Sequence, residues 1–135
     1  MSVFALTSEY VALNGSDRSA DVKSAVLTVD AASLDTTDFA SAGWTEVIGG
    51  LKSGSLQINF QDDATNSAID DILWGLLGTV VTFEVRPTSS AVGVNNPKYT
   101  GSVLITSTSI GGAVGELAMK LLTFPTSGAV ARAES

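Results

Sequence analysis

The sequence predicts a mostly β domain of the α+β class: an antiparallel β-sandwich or barrel-like body with one flanking α-helix. Three observations lead to this prediction. In most segments between turn signals, apolar and polar residues alternate with the period of half-buried strands. Most connections are short, which favours antiparallel neighbours. One segment, from Ala64 to Leu77, changes to the three-and-four apolar spacing of an amphipathic helix.

The composition predicts one folded domain spanning residues 1–135. Seven Lys and Arg residues against 14 Asp and Glu residues give a formal net charge of −7. Charged residues are nevertheless only 16% of the chain and apolar residues are 44%, which leaves room for buried contacts between subunits. The acidic balance argues against generic nucleic-acid binding, because no basic stripe is available to replace phosphate counterions.

The chain contains no cysteine and no histidine. This excludes disulfides, thiolate metal sites, Ser–His and Cys–His nucleophile systems and most zinc sites. The N-terminus lacks the pattern of a signal peptide, and the longest mainly apolar run, Ile72 to Phe83, is too short to cross a bilayer. We therefore expect no metal, no cofactor and no membrane insertion.

The first elements are a strand over Glu9 to Leu13, a tight turn at Asn14-Gly15 and a second strand over Val22 to Val29. Residues 30–43 then lack sustained periodicity and are small and polar. A loop of this length in a compact domain is usually functional or mobile. Two aromatic residues, Phe39 and Trp44, lie within and beside it. They either anchor the loop on its own domain or dock on a neighbouring subunit, and both interpretations stay open.

The central unit is predicted as strand, helix, strand, after a short strand over Thr45 to Ile48 and a turn at Gly49-Gly50. In the first strand of the unit, Leu56, Ile58 and Phe60 share the inward face. A helix follows from Ala64. Asp62 and Asp63 suit its N-terminus, and Gly78 ends it. The unit closes with a strand over Thr79 to Arg86.

The C-terminal third is predicted to contain two strands. A flexible segment, Thr88 to Lys98, precedes the first strand, Tyr99 to Ser107. The second, Val114 to Phe124, is apolar on both faces, which indicates burial inside a sandwich or at a subunit contact. Ala129 to Ser135 form a polar arm.

Carboxylate pairs are the remaining candidates for catalysis. Asp62-Asp63 and Asp70-Asp71 are adjacent doublets, and consecutive residues do not point at a common substrate. We interpret them as helix capping and as a solvated helix face. Asp30, Asp35 and Asp38 do not have the spacing of a calcium loop. The sequence therefore predicts that the protein is not an enzyme.

In order and spacing, several segments resemble the tail tube (major tail) proteins of long-tailed bacteriophages. The likeness covers most of the chain and includes the Leu13-Asn-Gly15 turn and the Val22 strand. The segments that carry it are Trp44–Gly54, Leu56–Phe60, Ile69–Trp74, Gly78–Pro87, Asn95–Gly101 and Gly115–Gly128.

The resemblance implies a tail-tube-like fold and a structural virion protein. Six copies would form a ring, and stacked rings would form a hollow tube for DNA ejection, without sequence-specific DNA binding. Further implied partners are the tail tip or baseplate, tape-measure and tail terminator proteins. The implied location is the virion tail, with the host cytoplasm during assembly. The first few residues, residues 129–135 and the loop 30–43 would connect rings, the loop through Leu34, Asp35, Asp38, Phe39 and Trp44.

A charge of −7 per subunit predicts an acidic conduit if much of it faces inward, since such a wall repels phosphate. Alternation proposes the strand positions Gln57, Asn59, Glu84, Glu116 and Lys120 for a lumen or solvent face. Two alternatives remain. One is the inner tube of a contractile tail or injection system. The other is a ligand-binding β-sandwich module, which would need a platform of exposed aromatics.

Overall fold

A computed structural model describes residues 3–135. In this part of the chain, eight strands and one α-helix form two antiparallel sheets, so the predicted mostly β fold is confirmed. The elements are β1 (Tyr10–Leu13), β2 (Ser16–Asp17), β3 (Val22–Asp35), β4 (Val47–Gln61), α1 (Ile69–Leu76), β5 (Val80–Arg86), β6 (Lys98–Leu104), β7 (Met119–Pro125) and β8 (Ala131–Ala133).

The two sheets differ in size and in the strands at their edges. The five-stranded sheet has the order β2-β1-β5-β6-β8, and the three-stranded sheet has the order β3-β4-β7. Every pairing between named strands is antiparallel. Because β3 and β7 are both antiparallel to β4, they run in the same direction.

The hydrophobic core is built from the inward faces of both sheets. Leu56, Ile58 and Phe60 of β4 are fully buried, which confirms their predicted inward face. The helix contributes Ile69 and Leu73, which are also fully buried. The strands around them add Val11, Leu13, Ala25, Val81, Phe83, Val85, Val103, Leu122 and Phe124.

The predicted tight turn joins β1 to β2. Asn14 and Gly15 have φ angles of +56° and +80°, the left-handed conformation that a two-residue hairpin turn requires at both positions. Asparagine and glycine adopt this conformation at the lowest cost. These two residues are therefore sufficient to predict the turn.

The prediction for residues 30–43 is partly wrong, because β3 continues to Asp35 and pairs with the first half of β4. Gly49 and Gly50 lie within β4 and do not form a turn. A register shift between Ala31 and Ser33 marks a β-bulge in this hairpin. Alternation gave no signal here because neither face of this part of the hairpin is covered by the body.

Three other segments also differ from the predictions. Helix α1 begins at Ile69 and not at Ala64, and no side chain caps its N-terminus, because Asp63 accepts the backbone N–H and hydroxyl of Thr65 instead. Strand β7 begins only at Met119. The segment before β6 is organised by Asn96, whose side-chain amide donates to three backbone carbonyl oxygens, those of Thr88, Ser90 and Ala91.

The predicted terminal arms are only partly described. Met1 and Ser2 of the N-terminal arm lie outside the described residues. Within the predicted C-terminal arm, Ala131–Ala133 form β8 and pair with Lys98–Thr100 of β6. This part of the arm therefore lies on its own subunit as an edge strand.

Gly54 marks the point where β4 leaves the body, and we expect Gly54→Ala to destabilise the fold by about 1–3 kcal/mol. A Cβ at this position would lie 2.7 Å from the backbone oxygen of Thr28, which cannot move without disturbing the strand. Urea unfolding measures the loss. Gly49→Ala is the matched control in the same strand, because nothing lies within 4 Å of its Cβ position. Equal stabilities of the two variants would contradict the prediction.

Candidate assembly surfaces

The two sheets protect their edges differently. The five-stranded sheet ends in β2, of two residues, and β8, of three residues, and such short edge strands are a common protection against unwanted pairing. The three-stranded sheet ends in β3, of 14 residues, and β7, of seven residues. Among the described residues, no strand pairs with the outer edge of either one.

Beside β7, the two sheets are joined only by the residues that directly follow this strand. Thr126 forms an isolated bridge with Val103, and the backbone N–H of Ser127 donates to the oxygen of Ser102 at 2.8 Å. The N–H of Thr126 also donates to the oxygen of Gly54 at 3.0 Å. These bonds join the two sheets at one end and leave the edge of β7 itself open.

Residues 30–53 form a hairpin arm beyond the body. The arm begins where Val29 pairs with Gly54 and contains the paired residues Leu34 and Ile48 near its tip. No residue of β7 pairs with it, because β7 pairs with β4 only from Ser55 to Gln61. The large apolar side chains that it exposes are Leu34, Phe39, Trp44, Val47, Ile48 and Leu51.

The tip of the arm, residues 36–46, is held by internal hydrogen bonds. The backbone N–H of Thr36 donates to the oxygen of Glu46 at 2.9 Å, and the N–H of Glu46 donates to the Thr37 hydroxyl at 2.8 Å. Asp38 and Ser41 cap a short 3₁₀ turn reciprocally. A small, polar sequence therefore forms a defined structure.

The carboxyl group of Asp35 adds hydrogen bonds to this tip. The hydroxyl and backbone N–H of Thr37 hold the pKa of the Asp35 carboxyl below its ordinary value. The ionised carboxylate therefore stabilises the tip at neutral pH. This contribution is lost as the pH falls through the pKa of the folded state.

Both aromatic residues of the tip are exposed. Phe39 is fully exposed and Trp44 is 78% exposed, so neither anchors the arm on its own domain. They line a concave surface together with Thr37, Asp38, Gly43 and Thr45. Docking on a neighbouring subunit stays a prediction.

The proposed lumen positions do not share one surface. Gln57 and Asn59 lie on the outer face of the three-stranded sheet, because their neighbours in β4 face the core. Glu84 lies in β5 of the other sheet, where it forms an ion pair of 2.5 Å with Arg86. Glu116 is exposed in the irregular segment before β7. One sheet can therefore present Gln57 and Asn59 but not Glu84.

The placement of Lys120 on a lumen or solvent face is wrong, because this side chain is fully buried. Its Nζ lies 2.9 Å from Asp70 Oδ1 and 3.7 Å from Asp62 Oδ1. It also donates to the Thr108 hydroxyl and to the backbone oxygen of Ser109. These partners satisfy a charge that would otherwise be costly to bury.

This lysine also corrects the interpretation of the carboxylates. Asp70 is not only part of a solvated helix face, since it holds α1 against β7 through Lys120, and Asp62 pairs with the same lysine. The alternation that places Leu122 and Phe124 inward places Lys120 inward too. That signal was present in the sequence, but its carboxylate partners come from distant segments.

Acidic side chains are the remaining candidates for a metal site. Within residues 3–135, no group of three or more acidic side chains is gathered so that it could hold a metal ion. In the same part of the chain, no helix has the length and apolar character needed to cross a membrane. The distinctive surfaces are two open sheet edges and an apolar arm.

Comparison with known proteins supports the same fold. No protein-family model and no curated protein sequence matches the chain. A chain in a structure described as the virion of a native gene transfer agent particle is 21% identical, with a TM-score of 0.67; the match covers 84% of this chain and 85% of that chain. A chain in the tail of an empty gene transfer agent particle, determined with C6 symmetry, is also 21% identical, with a TM-score of 0.64 and coverages of 82% and 81%.

At this level of identity the likeness shows the fold. It agrees with the resemblance to phage tail tube proteins that the sequence predicts, and it confirms the tail-like arrangement of two antiparallel sheets. The class of protein is therefore a mostly β domain with the fold of a chain from a virion and tail particle.

Proposed function

We propose that this protein is the major tail tube subunit of a long-tailed phage or phage-like particle, and that it is structural and not enzymatic. Six copies form a ring, and rings stack into a hollow tube for the passage of DNA. The structural neighbours support this proposal, because one of them is a tail refined as a helical assembly with C6 symmetry. The same geometry would serve the inner tube of a contractile system.

The observation that carries the proposal is the pair of open edges on the three-stranded sheet. An exposed row of backbone N–H and C=O groups pairs readily with another chain, and a closed ring removes such edges. In a rotationally symmetric ring, all subunits point the same way along the axis. Since β3 and β7 run in the same direction, β7 of one copy would meet β3 of the next as parallel strands.

The arm supports the stacking of rings. Its 24 residues, 30–53, carry four acidic side chains and one lysine, and its apolar side chains are left without cover. Exposed apolar surface of this extent marks an interaction site. The first half of β4, Val47 to Ser53, belongs to the arm, and the second half, Gly54 to Gln61, belongs to the body. An arm directed along the axis would therefore reach along a neighbouring ring.

The remaining partners follow from this role. A tube of defined length needs a tail tip or baseplate to start it, a tape-measure protein and a terminator protein, and DNA would pass through without being read. The assembled protein would belong to the virion, and the subunit would wait in the host cytoplasm. A ligand-binding module would need a platform of exposed aromatic residues, and two such residues at one arm tip form only a small one. We therefore prefer the structural role.

Negative-stain electron microscopy of the purified protein at several concentrations tests the proposal. We expect hollow tubes of constant width with a regular axial repeat, formed either spontaneously or after addition of tail tips. Because association is a mass-action process, tube formation should have a threshold concentration. A protein that stays monomeric at every concentration, with tips present, would refute the tube assignment.

A further inference from the structure

One exposed cation and one exposed anion lie at the same end of the three-stranded sheet, beside its two opposite edges. Lys23 is the only basic residue of β3 and is exposed near the start of that strand. Glu116 is exposed three residues before β7 begins. Among residues 105–125, the only other charged side chain is that of Lys120, which is buried. β3 therefore begins with an exposed positive charge, and the approach to β7 carries an exposed negative charge.

The pairings with β4 show how far apart these two positions are along the strands. Lys23 lies in a β-bulge next to the level of Phe60 in β4. Met119, the first residue of β7, pairs with Gln61, and Glu116 precedes it by three residues. The levels of Lys23 and Glu116 therefore differ by about four residues along the strand direction, which is at most about 13 Å.

Neither charge is satisfied within its own subunit. In the part of the chain from residue 3 to residue 135, the ion pairs include neither Lys23 nor Glu116. β4 separates the two edges, so within one subunit they are two strand spacings apart, about 10 Å. In a closed ring, β3 of one copy and β7 of the next become direct neighbours, about 5 Å apart.

Closure of a ring also offsets neighbouring sheets along their strands. The strands of a closed barrel are tilted by about 35–45° from its axis. Across three strands spaced by about 4.8 Å, this tilt offsets equivalent positions of adjacent copies by about 10–14 Å along the strand direction. The levels of Lys23 and Glu116 differ by a distance of the same size. An offset that advances β7 of one copy along β3 of the next therefore brings Glu116 opposite Lys23.

We propose that Glu116 of one copy forms an ion pair with Lys23 of the next copy, and that this pair fixes the offset at which adjacent sheets join. The inference rests on the proposed function. Backbone groups at a sheet edge are alike at every residue, so they hold two strands together without selecting one offset. A single pair of opposite charges, which meets at one offset and separates at the others, supplies this selection.

Charge reversal tests the ion pair through tube formation. Lys23→Glu or Glu116→Lys alone places like charges at the contact, so we expect each single variant to need a threshold concentration about 10-fold higher than that of the natural protein. The double variant restores opposite charges and should form tubes within about threefold of the natural threshold. Lys98→Glu, in β6 of the five-stranded sheet, makes the same change in net charge as Lys23→Glu and should leave the threshold unchanged.

Salt and folding controls separate this contact from a structural defect. Because salt screens exposed charges, the difference between the single variants and the natural protein should shrink in about 1 M salt. Circular dichroism shows whether each variant is folded. If Lys23→Glu is not, the threshold should still rise from the natural protein to Glu116→Gln and again to Glu116→Lys. Equal thresholds in this series, or a double variant that assembles no better than the single variants, would overturn the inference.

Cross-linking identifies the contact directly. A carbodiimide joins an amine to a carboxylate in contact with it, and tubes assembled from a mixture of ¹⁵N-labelled and unlabelled subunits show whether the linked residues belong to different copies. After digestion, mass spectrometry should find Lys23 linked to Glu116 in pairs of one labelled and one unlabelled peptide, and tubes of Glu116→Gln should lack this link. Tubes without the link, or with links only inside one subunit, would overturn the inference. Failure of the natural protein to form tubes would instead count against the proposed function.

Discussion

Replacing the arm, residues 30–53, by an Asn-Gly turn should leave a folded domain that no longer forms tubes. Val29 and Gly54 are paired, so a two-residue turn can join them directly. The arm contributes no apolar residue to the core, since its one buried residue is Ser41 at the tip. We therefore expect a melting temperature close to that of the natural protein, measured by circular dichroism, and no tubes by electron microscopy with tail tips present.

The aromatic residues of the tip allow a finer version of this experiment. Replacing Phe39 and Trp44 by serine keeps the hairpin and removes its largest exposed apolar side chains. An aromatic anchor at the centre of an interface contributes about 2 kcal/mol or more, so we expect the double variant to need a roughly 30-fold higher concentration for assembly.

Tubes from the armless protein at the natural threshold concentration would contradict the stacking role.

Ile58→Asp should prevent folding. Ile58 is fully buried between its paired neighbours Ala25 and Leu122, in the middle of the three-stranded sheet. No cation faces this position, since the buried Lys120 is paired with Asp70 and Asp62. An unpaired carboxylate there would cost several kcal/mol. This is comparable with the whole stability of a domain, about 5–15 kcal/mol, so circular dichroism and urea titration should show no cooperative unfolding transition.

Gln57→Asp is the matched control for that variant. Gln57 is the adjacent residue in β4, but its side chain is exposed on the opposite face of the sheet. The same charge should therefore change the free energy of unfolding by no more than about 0.5 kcal/mol. A soluble Ile58→Asp protein that unfolds as cooperatively as Gln57→Asp would show that the assignment of the two faces is wrong.

Local patterns carried the predictions that succeeded. The period of two along Leu56, Ile58 and Phe60 identifies the inward face because side chains in a strand alternate whatever the strand pairs with. The Asn14-Gly15 turn follows from the conformations that those two residues allow. Helix α1 has the apolar spacing that its buried residues Ile69 and Leu73 require.

Contacts between distant segments caused the predictions that failed. The loop at residues 30–43 was placed by its small, polar composition, but backbone hydrogen bonds to β4 make its first part a strand. Lys120 is proposed for a lumen or solvent face although it alternates inward with Leu122 and Phe124, and its burial depends on Asp62 and Asp70, which precede it by many residues. Neither the backbone partner of residues 30–35 nor the carboxylate partners of Lys120 can be identified from local periodicity.

The sequence by itself determined the class of fold, the inward residues of its strands and the absence of histidine and cysteine chemistry, because these depend on residue type and local period. Only the tertiary structure decided which sheet keeps open edges, where the arm begins and how Lys120 is buried against Asp62 and Asp70. These features depend on which strands become neighbours, and that choice is made by the packing of the whole chain.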